Sequence, residues 1–288
     1  MKTLVIGAGK IGSAIGNAIL KSGNEVVWWD IDPTKFSGTE TLEERVKQAE
    51  IVFLCVHSWV IRETLVRIQP HLKEDVILVS VAKGFEEKTM KTAEQIVEEV
   101  LPYHAFAFFG GPVVATEVEE GRYAFGAVAT KSIETFTAIS SLFAGSRVLL
   151  NHITDVRGTV LAGVLKNIYA MGLGMLDEQG MGTNARGWYV TKAIEEMGRA
   201  IDMLGGRSKT VYTLAGIGDF VATGMSDHSR HRSEGRSIAK GNKPTPCEGV
   251  VSTPTIVELL GDISSFPLLQ TIHHILQGKH ELLSQIVQ

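Results

Sequence analysis

Apolar residues in the first half of the chain fall into short runs separated by stretches with helical spacing. Thr3–Ile6, Val26–Trp29, Ile51–Val56, Val76–Val81, Ala105–Phe108, Gly126–Ala129 and Arg147–Leu150 read as strands. Ala14, Ile15, Ala18, Ile19 and Leu20 mark a helix that stops at Ser22-Gly23-Asn24, where a C-cap glycine belongs. Further helical patterns lie at Thr41–Ala49, Ile61–Ile68, Lys88–Val100 and Ile133–Phe143. Strands alternating with helices predict a parallel sheet covered on both faces.

After about Asn151 the strand pattern stops. Asp155–Asp177 and Ala185–Leu204 read as long helices, followed by shorter ones at Asp219–Gly224, Ser229–Ala239, Thr253–Leu260, Pro267–Gln277 and His280–Val287. The pattern divides the chain into a sheet domain over residues 1–151 and a helical domain over residues 152–288, with a ligand cleft expected between them.

One position breaks the apolar pattern of the second half. From Val160 to Leu176 only Lys166 and Asn167 are polar in a run of aliphatic, small, aromatic and sulfur-containing residues. Burying an ammonium there is costly unless it is paired, and burial lowers its pKa towards the range useful for proton transfer. The competing reading is a lysine whose stem packs while its head reaches water.

Composition narrows the function more than the fold. A 44% hydrophobic, 21% charged chain of 288 residues is that of an ordinary globular protein. A formal net charge of −4 gives no electrostatic case for nucleic acid or an anionic membrane as partner. The Val160–Leu176 run is short for a membrane span and carries a central charge, so no span is expected. Met1-Lys2-Thr3 leads straight into a glycine turn that cleavage would remove, so no signal peptide is expected. Cys55 and Cys247 have no metal or disulfide spacing, consistent with a reducing cytoplasm.

That glycine turn, Gly7-Ala8-Gly9-Lys10-Ile11-Gly12, lies between the first strand and the first helix. Gly7 permits the tight turn, Gly9 lets a pyrophosphate approach the backbone, and Gly12 lets helix and strand pack closely. The free N–H groups of Lys10 and Ile11 at the helix start complete a phosphate cradle. Asp30 closes the second strand twenty-one residues after Gly9, where a carboxylate accepts the ribose hydroxyls. Its charge opposes a 2′-phosphate, which favours NAD over NADP. The fold class is therefore α/β: an N-terminal Rossmann-like, doubly wound parallel sheet plus a C-terminal all-helical domain.

Three further segments are ambiguous on their own chemistry. Lys83 reads as a surface lysine in a loop, and Asp219, in Gly216-Ile217-Gly218-Asp219, as a helix N-cap with Thr223 one turn further on the same face. Ser229-Arg230-His231-Arg232 is either a solvated basic turn or a phosphate site, since arginine grips phosphate through a bidentate fork. His228 and His231 lack an acid or cysteine to complete a metal site, so none is expected.

Taken together, several segments resemble the bacterial NAD(P)-dependent glycerol-3-phosphate dehydrogenases. They are Val81-Ala82-Lys83-Gly84-Phe85-Glu86, Gly110-Gly111-Pro112-Val113-Val114-Ala115-Thr116-Glu117-Val118, Gly163-Val164-Leu165-Lys166-Asn167-Ile168, Gly182-Thr183-Asn184-Ala185-Arg186, Leu214-Ala215-Gly216-Ile217-Gly218-Asp219, Ser229-Arg230-His231-Arg232 and Glu248-Gly249-Val250. They occur in the family's order over nearly the whole chain.

The resemblance implies hydride exchange between nicotinamide and C2 of dihydroxyacetone phosphate or sn-glycerol 3-phosphate, feeding glycerophospholipid synthesis, in a homodimer. It implies Lys166 as the proton donor, with Lys83 and Asp219 in the same catalytic network. Cofactor contacts are implied for Gly7, Gly9, Lys10, Ile11, Gly12, Asp30, Lys83, Ala115, Arg230 and Glu248. Substrate contacts are implied for Lys83, Gly111, Lys166, Asn167, Asp219, Thr223, Ser229, Arg230 and His231. The chain departs from the family where only Thr34–Thr41 follows Asp32-Pro33, around Asn242–Pro246, and where Gly110, Val113 and His231 replace the usual polar residues. A related phosphorylated or carboxylated hydroxy compound, or a nucleotide-binding sensor without turnover, stands as the alternative.

Overall fold

A computed structural model describes residues 1–227 and 229–279; His228 and the helix read at His280–Val287 lie outside the described residues. The chain divides into two compact units, Met1–Val156 and Arg157–Gln288.

The first unit is built on seven strands: β1 (Lys2–Ile6), β2 (Glu25–Trp29), β3 (Ile51–Leu54), β4 (Ile77–Ser80), β5 (Ala105–Gly110), β6 (Ala124–Ala129) and β7 (Val148–Ile153). They form one sheet in the order β2-β1-β3-β4-β5-β6-β7. Its helices are α1 (Lys10–Lys21), α2 (Leu42–Val46), α3 (Ile61–Ile68), α4 (Ala93–Val100), α5 (Ala115–Glu119) and α6 (Ile133–Ser141). Alternation along β1 explains the two cores. Val5 joins Phe53, Val79 and Phe109 under α1 and α6, while Leu4 and Ile6 join Val52, Leu54 and Leu78 under α3 and α4.

All neighbouring strands are parallel except β5 and β6, where Phe108 faces Ala129 in an antiparallel register. The all-parallel expectation fails there because the connection holds only the short α5. Gly111, at a φ of 90°, turns the chain back so closely that a Cβ would lie 2.8 Å from the Phe125 carbonyl oxygen.

The helix read from Lys88 begins instead at Ala93, because the Thr92 hydroxyl and the Gln95 side chain cap each other's backbone there. Met90, at a φ of 54°, sits in the turn that precedes it. Likewise Thr41 and Glu44 form a capping box that starts α2 at Leu42.

The second unit is helical: α7 (Val156–Glu178), α8 (Gly182–Met203), α9 (Asp219–Met225), α10 (Arg230–Ala239), α11 (Glu248–Leu260) and α12 (Pro267–Leu276). α11 starts five residues before the Thr253 read from the sequence, with Cys247 at its cap and Pro254 inside it. α7 is 23 residues long and by length and composition alone could cross a membrane, but its most apolar stretch is wholly buried in the protein. Two glycines let α7 and α10 touch backbone to backbone. A Cβ on Gly174 would overlap the Arg232 carbonyl, and one on Gly235 would overlap that of Met171.

Candidate functional site

Register places the carboxyl ends of the parallel strands along one edge of the sheet, with Ile6 opposite Leu54, Leu54 opposite Ser80 and Ser80 opposite Phe108. The segments that follow β1, β2, β4 and β5 carry Gly7–Gly12, Asp30, Lys83 with Gly84, and Gly111. The strand order reverses between β1 and β3, the crevice where open α/β sheets bind ligands.

At this crevice each glycine has a separate physical reason. Gly7 takes a φ of 99°, donates its N–H to the Trp29 carbonyl at 2.7 Å and packs on the Cys55 carbonyl. A Cβ on Gly12 would overlap the Gly7 carbonyl. Gly9 differs: it caps α1, and a Cβ there would meet nothing within 4 Å. Its surface opens onto the first turn of α1, where the N–H groups of Lys10 and Ile11 begin the helix, so a dinucleotide pyrophosphate fits this cradle.

Asp30 is buried beside it and accepts the Ala8 N–H at 2.8 Å and the Asp32 N–H at 2.9 Å. The carboxylate thus ties the end of β2 to the glycine turn. Lys83 is half-buried in the loop after β4. Gly111 is buried after β5, and Ala115 is the first residue of α5, partly buried against the core.

In the second unit Lys166 and Asp219 are buried, 6% and 5% exposed. The Lys166 Nζ donates to Thr223 Oγ1 at 2.8 Å and lies 3.2 Å from Asp219 Oδ1, and Thr223 donates to the same carboxylate oxygen at 3.2 Å. Asp219 opens α9 after a wide helical turn, Leu214–Gly218, in which Gly216 packs on the Val211 backbone. The cap position itself falls to Gly218, and the carboxylate of Asp219 turns towards Lys166 and Thr223. The lysine is therefore paired inside the unit and does not reach out from a packed stem.

Asn167, 2% exposed, follows Lys166, and its Oδ1 has no hydrogen-bond partner among the described residues. A Cβ on Gly249 would lie 3.0 Å from the Asn167 carbonyl oxygen and 3.1 Å from Cδ2 of His231. The start of α11, with Glu248, therefore meets the start of α10 beside α7. Ser229 caps α10 by accepting the Arg232 N–H at 3.2 Å. Arg230 is exposed and donates to the Pro246 carbonyl at 2.8 Å.

Arg232, the second arginine of the basic turn, faces inward. It donates to Asp177 at 2.7 Å, and Arg186 and Arg236 reach the same carboxylate at 2.6 and 3.2 Å. Burial by itself would raise the Asp177 carboxyl, but the hydrogen bond and charge of Arg232, joined by Arg186, hold it below the ordinary carboxylate range. Sequence reading missed this cluster because Arg232 and Arg236 lie more than fifty residues from Asp177 and share no motif with it. It also passed over Glu196, a buried carboxylate on α8 whose only signal was an acid among Ala, Ile and Met. Among the described residues no three His, Cys, Asp or Glu side chains gather as metal ligands.

A dinucleotide cradle on a doubly wound sheet, followed by a helical unit with a buried lysine–carboxylate pair, defines a two-unit nicotinamide-linked dehydrogenase. Comparison with known proteins makes the class specific. Residues 31–136 match the N-terminal part, and residues 155–287 the C-terminal part, of NAD-dependent glycerol-3-phosphate dehydrogenase. The chain belongs to that family.

It is 31% identical over 258 residues to a glycerol-3-phosphate dehydrogenase (NAD(P)+) of Clostridium tetani, covering 82% of this chain and 74% of the relative. A Nostoc enzyme of the same name is 30% identical over 285 residues, covering 96% and 91%. The fold is that of a glycerol-3-phosphate dehydrogenase from Coxiella burnetii, with a TM-score of 0.88 at 24% identity over 96% of this chain and 94% of the other.

Proposed function

We propose that this chain is an NAD(P)-dependent glycerol-3-phosphate dehydrogenase that interconverts dihydroxyacetone phosphate and sn-glycerol 3-phosphate, with Lys166 as proton donor and acceptor. The observation that supports the lysine's role is its burial against Asp219 and Thr223 in an otherwise apolar helix. When bound, the nicotinamide supplies or accepts the hydride at C2.

In reduction, Lys166 gives one ammonium proton to the C2 oxygen as negative charge builds there, and the carbonyl becomes a hydroxyl. Asp219 holds the ammonium in place before transfer, and Thr223 accepts one of its N–H bonds at 2.8 Å. In oxidation the neutral amine takes the hydroxyl proton back. Arg230, with the Ser229 cap and the first turn of α10, is proposed to hold the substrate phosphate. Lys83, Gly111, Asn167 and His231 are proposed to contact the rest of the substrate. Gly7–Gly12, Asp30, Ala115 and Glu248 are proposed to line the cofactor.

A homodimer, a cytoplasmic setting and supply of the glycerophospholipid backbone complete the proposal. The two free cysteines, Cys55 and Cys247, agree with a reducing compartment. The test is to follow NADH and NADPH oxidation separately with dihydroxyacetone phosphate. Turnover is expected. No turnover from folded protein that binds NADH would refute the dehydrogenase and favour a nucleotide sensor.

A further inference from the structure

The end of β2 carries two acids and one lysine, and their geometry bears on which dinucleotide fits. Asp30 is the acid that would meet the adenosine ribose, yet its side chain is only 10% exposed and each of its oxygens already accepts a backbone N–H. Asp32 is engaged as well, its Oδ1 accepting the Thr34 N–H at 3.0 Å and the Thr34 hydroxyl at 2.7 Å.

Lys35 ends the short turn Pro33–Lys35, is 46% exposed and lies 3.8 Å from Asp30 Oδ1. That spacing is an ion pair but longer than a hydrogen bond, so the ammonium keeps its donors and, on a flexible stem, its freedom to swing. The neighbouring arginines are committed. Arg45, 4% exposed, gives its guanidinium to the carbonyls of Trp28, Ser37 and Glu40, and Arg67 lies over the Trp29 ring and pairs with Glu43 at 2.7 Å. Of the charged side chains within 4 Å of the ribose-binding acid among the described residues, Lys35 is the one that pairs with it, and its ammonium is open to solvent.

We infer that Lys35 is the specificity-determining residue for the coenzyme: it receives a ribose 2′-phosphate and lets the chain bind NADP as well as NAD. Asp30 serves the unphosphorylated ribose with its remaining lone pairs, and Lys35 offsets that carboxylate when a phosphate takes the place of the 2′-hydroxyl. The inference rests on the dinucleotide reading of the glycine turn, and its test separates the two.

Adenosine 5′-monophosphate and adenosine 2′,5′-bisphosphate are titrated calorimetrically into the full chain, as wild type, Lys35→Met and Lys35→Arg. Wild type is expected to bind the bisphosphate at least as tightly as the monophosphate. Lys35→Met should weaken the bisphosphate about tenfold, the scale of one charged hydrogen bond, and the monophosphate less than twofold. Lys35→Arg, which keeps the cation, should restore the bisphosphate. Failure of wild type to bind the bisphosphate, or an equal effect of Lys35→Met on both ligands, overturns the role of Lys35. Failure of both ligands to bind overturns the dinucleotide reading itself.

Discussion

The ammonium of Lys166 lies 3.2 Å from the carboxylate of Asp219, with both side chains 7% exposed. The pair closes a gap of more than fifty residues between the middle of α7 and the first residue of α9, and Thr223 bridges it from one turn further on. A buried pair of this kind makes each partner costly to remove alone, because the other is left charged in an apolar setting.

Lys166→Met is therefore expected to do two separable things. Turnover should fall by about two to four orders of magnitude, the usual worth of a positioned general acid, with nucleotide affinity unchanged. Stability in urea should fall by roughly 3 kcal/mol, and adding Asp219→Asn should cost less than the sum of the single changes. Retained activity would contradict the catalytic role of Lys166, and strictly additive losses would contradict its pairing with Asp219.

The glycines of the phosphate turn give a second prediction, because their reasons differ. Gly9→Ala puts its methyl into open space. The protein should keep its thermal midpoint, since the loss of a favourable cap residue and the gain from a less flexible unfolded chain roughly cancel. Binding of adenosine 5′-diphosphate should nevertheless weaken, because the methyl occupies the phosphate approach. Gly12→Ala forces a methyl onto the Gly7 carbonyl and should destabilise the protein outright. Thermal melts with calorimetric titration of the nucleotide separate the two outcomes.

How far the chain could be read beforehand follows the range of the interactions. The sheet, its helices and the glycine turn rest on periodicity and on residue types within a turn or two, which sequence carries openly. Thr223 was visible as a partner of Asp219 because a four-residue helical spacing aligns them. Capping boxes at Thr41 and Thr92 decided where α2 and α4 begin, and the apolar pattern alone extended both too far. The antiparallel step at β6 depended on what Gly111 packs against. Nothing local marks the contact of Arg232 with Asp177, and Lys35, in a polar turn, has the same surroundings as any solvated lysine.

Glu196 offers a prediction with the opposite sign from a usual surface carboxylate. It is 1% exposed and accepts the Tyr169 hydroxyl at 2.8 Å and the N–H groups of Leu268 and Leu269 at 2.9 and 3.0 Å. Burial nevertheless raises its pKa, the three donors pulling it only part of the way back. A raised folded-state pKa contributes stability that is whole below the unfolded value, about 4.3, and is lost as pH rises through the folded one. Glu196→Gln, close in shape to the protonated acid, should match wild type in acid and become the more stable protein towards neutral pH. Urea unfolding across that range checks the order. The reverse order would mean that the three donors outweigh burial.

Asp177 behaves in the other direction. Its carboxyl is held below the ordinary value by Arg232 and Arg186 despite burial, so its contribution is present above the unfolded pKa, about 3.9, and is lost as pH falls below it. Asp177→Asn removes the charge that Arg232, itself 8% exposed, is buried against. At neutral pH the loss should be roughly 2–3 kcal/mol, less than for a fully buried pair because Arg186 and Arg236 reach solvent. Since Arg232 follows the proposed phosphate-binding Arg230 by two residues on α10, the same substitution should also raise the KM for dihydroxyacetone phosphate while leaving nucleotide affinity intact. Urea unfolding at pH 7 and at a series of acid pH values should show the gap between variant and wild type starting to narrow below about pH 3.9, where the unfolded chain takes up the proton, and closing only in stronger acid, where the lowered carboxyl of folded wild type is itself protonated. A gap that persists unchanged would place the effect in packing and not in the charge.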